Sequence, residues 1–129
     1  RRWGSEAGYC DVLIPQVYFG FENEAAPFSE TVTEWVQTVT YDSVSLVIGI
    51  GTHKYGKVDQ WAGSGSMEWT TQWDLPVRQA TQVLETDGTD GLAVYDYATT
   101  FLPESNAERM AQQVEQLGAL LRGMPADPL

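Results

Sequence analysis

Two kinds of apolar pattern alternate along this chain. The first is the short run Val12-Leu13-Ile14, with the β-branched content of a strand buried on both faces. It turns polar and aromatic without a break, through Pro15, Gln16, Tyr18, Phe19, Phe21 and Glu22. The spacing predicts a strand over about Val12 to Phe19. Pro15 cannot donate to a ladder, so a functional rim is expected from about Gln16. A strand that starts greasy and ends in functional groups is the pattern of the inner wall of a parallel α/β barrel. An ordinary core strand followed by an aromatic loop fits the same run.

The second pattern has helical period. Ser29 is the expected cap of a helix in which Val32, Trp35, Val36 and Val39 share one face, making Trp35 a core residue. Asp74 and Pro76 open another helix, with Val77, Ala80, Thr81 and Leu84 as its stripe. Ser105 or Asn106 caps a last helix with Met110, Val114, Leu117 and Leu121 on one face, and Pro125 and Pro128 end the chain. Residues Arg1 to Gly8 read as a helix end stopped by Gly8. Between these lie a second strand, Val44 to Gly51, and a third, Leu92 to Tyr97. Glycines 49 and 51 in the second strand predict close approach by a neighbour or ligand. From Thr52 to about Gln72 no period holds, and a loop of that length carrying Trp61 and Trp69 reads as functional.

The order is helix end, then β-α-β-α-β-α, which predicts an α/β fold with right-handed crossovers and a parallel sheet. Its 129 residues are room for one domain, read as a single partial domain over 1–129. A closed (β/α)8 barrel needs about 250 residues, and three strands leave two raw edges. The chain opens on Arg1-Arg2-Trp3 without an initiator methionine or a signal peptide, and is expected to be a piece of a longer protein. Its edges are then expected to be covered by self-association or by the missing N-terminal part.

A net charge of −11 argues against nucleic acid and anionic membrane surfaces as partners. No apolar run approaches the length of a membrane span. The single Cys10 excludes an internal disulfide and a Cys-rich metal site. His53 is the only histidine, which excludes a multi-His zinc site and a Ser-His-Asp triad elsewhere. Nothing in the sequence calls for a metal or a cofactor.

The block from Tyr9 to Glu24, with Pro15-Gln16-Val17-Tyr18-Phe19-Gly20-Phe21 at its centre, then Pro27-Phe28 and Trp35, resembles the glycosyl-hydrolase-like family 10 of bacterial envelope proteins. Ile48-Gly49-Ile50-Gly51, Lys54, Gly56, Glu68-Trp69, Gly91, Tyr95 and Tyr97 follow that family in order, so the resemblance covers nearly the whole chain. It implies the last three β/α units of a TIM barrel, a glycosidase acting on bacterial cell-wall glycan or a related polysaccharide, and an envelope or secreted location. Thr52-His53 and Asp96 depart from the family's usual residues near the expected rim.

Glycoside hydrolysis generally uses two carboxylates, about 5 Å apart in retaining enzymes and about 6.5–9.5 Å apart in inverting ones. Glu22 after the first strand and Asp96 in the third are the candidate catalytic pair, with Glu24 and Glu68 as further acids and Asp11 read as structural. Because the chain carries 18 acids, a solvated surface role is the competing reading for each. One catalytic carboxylate can also lie outside this chain, leaving it inactive alone. Sugar sites pair aromatic platforms with amides and charges. Gln16, Tyr18, Phe21, Lys54, Tyr55, Tyr95 and Tyr97 fit that description at or near strand ends. Lys54 suits either a sugar carboxylate or a rim ion pair, and nothing supports His53 as a general acid. The rival readings are a non-catalytic carbohydrate-binding domain with a degenerate barrel and a flavodoxin-like nucleotide domain. The latter needs a glycine-rich loop opening directly into a helix.

Overall fold

The computed structural model describes residues 1–123, so Pro125 and Pro128 lie outside the described residues. Three strands, β1 (Val12–Leu13), β2 (Ser45–Gly51) and β3 (Gly91–Tyr95), form one parallel sheet in the order β1-β2-β3. A short α1 (Arg2–Ser5) precedes it. Helix α2 (Phe28–Thr38) joins β1 to β2, while α3 (Glu68–Thr71) and α4 (Leu75–Glu85) join β2 to β3. Helices α5 (Tyr97–Phe101) and α6 (Ala107–Arg122) come after β3. The architecture is α/β with a small, open, parallel sheet, as the alternation predicts. No helix among the described residues is long and apolar enough to cross a membrane.

The core lies on one face of the sheet. Leu46, Ile48 and Ile50 project from alternate positions of β2 and cluster with Phe28 and Val32 of α2, Ala80 and Val83 of α4, and Leu117 of α6. The other face of the sheet carries no such cover. Val12 and Ile14 there are about half exposed, at 48% and 54%. That imbalance makes the sheet one-sided, with its chemistry on the uncovered side.

Several local expectations shift. The first strand is regular only over Val12–Leu13, because Pro15 offers the ladder no N–H. Register nonetheless persists past it: Gln16 still pairs with Gly49, and Val17 N donates to the Gly49 carbonyl at 2.8 Å. The chain leaves the sheet at Phe19 and Gly20, whose carbonyls accept from Gln79 Nε2 (2.7 Å) and Phe28 N (3.0 Å). Ser29 does not cap α2. The helix starts two residues earlier than that cap implies, behind Pro27, since Phe28 is fully buried, and the Ser29 hydroxyl donates to Gln82. Trp35 packs against the core but is only partly buried.

Asp74 stands at the start of α4 without a side-chain cap bond, and Pro76 takes the first turn. The buried stripe of α4 is Leu75, Pro76, Gln79, Ala80 and Val83, turned from the predicted Val77, Ala80, Thr81 and Leu84. Gln79 accounts for the rotation, because its amide is needed inside at Phe19. The third strand stops at Tyr95, so Asp96 and Tyr97 belong to the start of α5. Asn106 occupies the cap position of α6 in a left-handed backbone, and Gln113 replaces Leu121 on its buried face; Leu121 is 47% exposed.

Ile48 has no exposed surface and belongs to this cluster. Ile48→Ala is expected to cost about 3 kcal/mol of unfolding free energy, measured by urea titration. A loss well under 1 kcal/mol would show that the sheet does not depend on this face.

Candidate functional site

At the C-terminal end of the sheet, register brings three residues into one row. Gly51 pairs with Tyr95 directly, and the register from Gln16 opposite Gly49 carries Tyr18 to the other side of Gly51. Adjacent strands run about 4.8 Å apart, so residues two strands apart are normally separated by the side chain between them. Gly51 has none. The Tyr18 and Tyr95 rings close over it and stack with centroids 5.5 Å apart and planes 25° from parallel.

His53, two residues beyond, folds back over the same glycine. Its ring meets Tyr18 edge-on at 5.1 Å and Tyr95 at 5.3 Å. A Cβ on Gly51 would lie 2.6 Å from His53 Cε1 and 3.2 Å from Tyr18 Cδ1, which only glycine avoids. Burial lowers the His53 pKa below 6.5, helped by Lys54 and Lys57 and opposed by the Tyr95 carbonyl and Asp96. The imidazole is therefore neutral at pH 7, and its buried Nδ1 has no partner among the described residues. Burial, with the neighbouring Tyr95, raises the pKa of Tyr18.

Thr52 locks the row to α5. Its N–H donates to the Tyr95 carbonyl at 2.6 Å, and its hydroxyl lies 2.8 Å from the hydroxyls of Thr99 and Thr100. Asp96 caps α5, accepting from the Thr99 N–H at 2.9 Å and from the Thr99 hydroxyl. Those hydrogen bonds hold its carboxyl below the usual range, with a smaller contribution from His53. Asp96 thus reaches the rim as an ionised capping group. Behind His53, a cavity of about 240 Å³ opens between the end of β2 and the α5–α6 connection, with Lys57, Leu102 and Met110 in its wall.

The other expected residues fall in different places. Gln16 is exposed in the next row, opposite Gly49. Phe21 packs edge-on against Phe28 and under the Arg78 guanidinium, 4.6 Å from the ring centroid. Lys54 is taken by the rim ion pair, with Nζ 2.6 Å from Asp59 Oδ2. Tyr55 is buried, and its hydroxyl donates to the Trp73 carbonyl at 2.7 Å, so it serves the core. Tyr97 is 71% exposed on α5 beside Phe101. Glu22 is exposed and accepts from Gln72 Nε2 at 2.6 Å, with no hydrogen-bond partner in common with Asp96.

Glu68 is the least legible residue of this end. It is 2% exposed and grips the backbone after β1, accepting from Phe21 N and Glu22 N at 2.9 Å each. Gly20 has to be glycine here, since a Cβ would land on the Glu68 carboxylate. The adjacent Trp69 is core at 1% exposure, which overturns a functional role for it, whereas Trp61 stands clear of the protein. The only signal of this in the sequence is the Glu68-Trp69 pair inside an aperiodic loop. In β2 the Pro15 carbonyl closes on Gly49 and the Tyr18 and His53 rings on Gly51, and the strand opens into no helix, so a phosphate cradle is absent there.

No family model, curated protein or solved structure matches the chain.

Gly51→Ala is expected to scatter the ring cluster and cost about 1–3 kcal/mol by overpacking. Near-ultraviolet circular dichroism reads the ring signal and urea titration the stability; an unchanged spectrum would mean the rings do not rest on Gly51. A second prediction concerns Glu68. Burial raises its pKa above the ordinary 4.5, with Glu22 adding to the rise while the two N–H donors and Arg78 oppose it. A carboxyl raised on folding stabilises the fold in its protonated form. Its contribution is present below about pH 4.5 and is lost as pH rises through the folded value. The stability of the wild type relative to Glu68→Gln should therefore fall across that window. A difference that stays flat with pH would contradict the shift.

Proposed function

We propose that this chain forms the C-terminal three β/α units of a (β/α)8 barrel similar to the glycosyl-hydrolase-like family 10, and that it holds saccharide at the strand ends. The carrying observation is the Tyr18–Gly51–Tyr95 row, which sets an aromatic surface on the face away from the core at the C-terminal ends of parallel strands. Barrel enzymes bind substrate at that end. Saccharides present flat C–H faces to aromatic rings and hydroxyls to groups such as Gln16 and His53. Sequential strand order, with the helices' apolar residues gathered on one face, also suits a barrel wall whose uncovered side faces inward.

Catalysis needs a carboxylic acid held protonated near the scissile bond. Asp96 is held ionised by Thr99, and Glu68 is turned onto the backbone of Phe21 and Glu22. In this reading the general acid comes from the strands that complete the barrel, supplied by a longer chain or a partner, and this chain alone binds without turnover. The same two engaged carboxylates favour a second reading, a non-catalytic carbohydrate-binding domain. Either way the expected ligand is a cell-wall glycan or a related polysaccharide of the bacterial envelope.

Tyr18→Ala and Tyr95→Ala should each weaken binding of peptide-free peptidoglycan oligosaccharides on the order of tenfold or more in calorimetric titration. Both variants should keep the wild-type far-ultraviolet circular dichroism. Wild-type protein that binds none of these oligosaccharides would overturn the saccharide reading.

A further inference from the structure

The loop that leaves β2 carries a tryptophan that the fold does not use. Trp61 is 82% exposed, with Val58 (57%) and Met67 (52%) exposed on the same loop. The turn beneath it is nevertheless tied down on both sides. Asp59 is buried; its Oδ2 pairs with Lys54 Nζ at 2.6 Å, and its Oδ1 accepts from Trp61 N at 3.2 Å. The Asp59 backbone closes the turn, accepting from Ala62 N (3.0 Å) and donating to the Ser66 carbonyl (2.9 Å).

A second set of bonds joins this turn to the segment after β1. Glu24 N donates to the Ala62 carbonyl at 3.0 Å, and Glu24 Oε2 accepts from Ser64 N at 3.0 Å. Gly65 packs directly on the Glu22 backbone, leaving no room for a Cβ. Trp61 is therefore held on the strand C-terminal side of the sheet, by anchors that reach the exits of both β1 and β2. Its backbone is fixed while its indole is left in water.

An aromatic face presented on a pre-ordered turn loses little freedom when it is covered. Indole offers the broadest apolar face of any side chain, with an N–H donor at its edge. A pyranose ring matches that surface, laying its C–H face on the ring while its hydroxyls stay solvated. Within the polysaccharide of the reading above, the net charge of −11 favours an uncharged ring at this position over one that bears a carboxylate, and it disfavours anionic lipid. We propose that Trp61 is an outer stacking platform for an uncharged pyranose of the polysaccharide, further along the rim than the Tyr18–Tyr95 row. This rests on the saccharide reading of the site above and adds a second, separate contact to it.

The test titrates wild type and Trp61→Ala with chitobiose and chitohexaose, and measures co-sedimentation of both with phosphatidylcholine vesicles. The expected result is that Trp61→Ala weakens the hexasaccharide on the order of tenfold and leaves the disaccharide unchanged. Trp61→Phe should restore part of the loss. Thermal melting should be unaffected, because so exposed a side chain contributes little packing. Hexasaccharide affinity equal in wild type and Trp61→Ala would overturn the platform while leaving the tyrosine row standing. Wild-type protein that binds the peptidoglycan oligosaccharides but not chitohexaose would overturn the platform alone, and wild-type protein that binds none of these sugars would overturn the platform together with the saccharide reading. Vesicle binding that depends on Trp61 would overturn it in favour of a lipid contact.

Discussion

Parallel register across β2 is the constraint on which the rest of this structure depends. It is set by the apolar alternation of Leu46, Ile48 and Ile50, whose burial against α2 and α4 fixes which face of the strand is inside. Once those three point inward, Val47, Gly49 and Gly51 point outward, and the partners on either side are placed with them. Tyr18 and Tyr95 then flank Gly51, and the only gap in that row is the one glycine provides. A slip of one residue in either pairing would bury the tyrosines in the core and expose its aliphatic residues.

The polar groups around the rim divide into those that build it and those that face outward. Glu68, Gln79 and Asp59 are all buried, and each is engaged with backbone or in an ion pair. A buried carboxylate or amide without such partners would be costly, so their presence inside implies that the loops they hold are fixed in shape. Glu68 and Gln79 define how the chain leaves β1, Asp59 defines the turn under Trp61, and Thr52 with Asp96 defines the entry to α5. The groups left free to meet a ligand are largely aromatic: Tyr18, Tyr95, His53 and Trp61, with Gln16 alongside. In the reading proposed above, that division favours binding over chemistry, because the acids best placed by sequence are already engaged.

Much of the fold was legible in the sequence. Helix α2 buries Val32 of its expected stripe and packs Trp35 and Val36 against the core, with Val39 just past its end, and β2 lies one residue from its expected start. Alternation of strand and helix implied the parallel sheet. Gly49 and Gly51 announced a close approach: the Pro15 carbonyl approaches Gly49, and the rings of Tyr18 and His53 approach Gly51. The misplaced pieces share a cause. Ser29, Asp96 and Tyr55 carry side chains suited to both a local and a distant partner, and composition cannot tell which is within reach. Asp96 read as a strand residue between two tyrosines, yet Thr99 one turn later claims it as a cap.

Local pattern determined which segments are helix and which are strand, the parallel order, and the aromatic character of the strand ends, because hydrophobic periodicity is a property of neighbours in sequence. Only the tertiary structure decided that Glu68 and Trp69 are interior while Trp61 is not, that Lys54 is committed to Asp59, and that Tyr18 and Tyr95 meet across Gly51. The longest of those reaches join groups far apart in the chain: Glu68 bonds residues 46 and 47 positions away. Burial and pairing over such separations come from how the elements pack, and no short sequence window contains both partners.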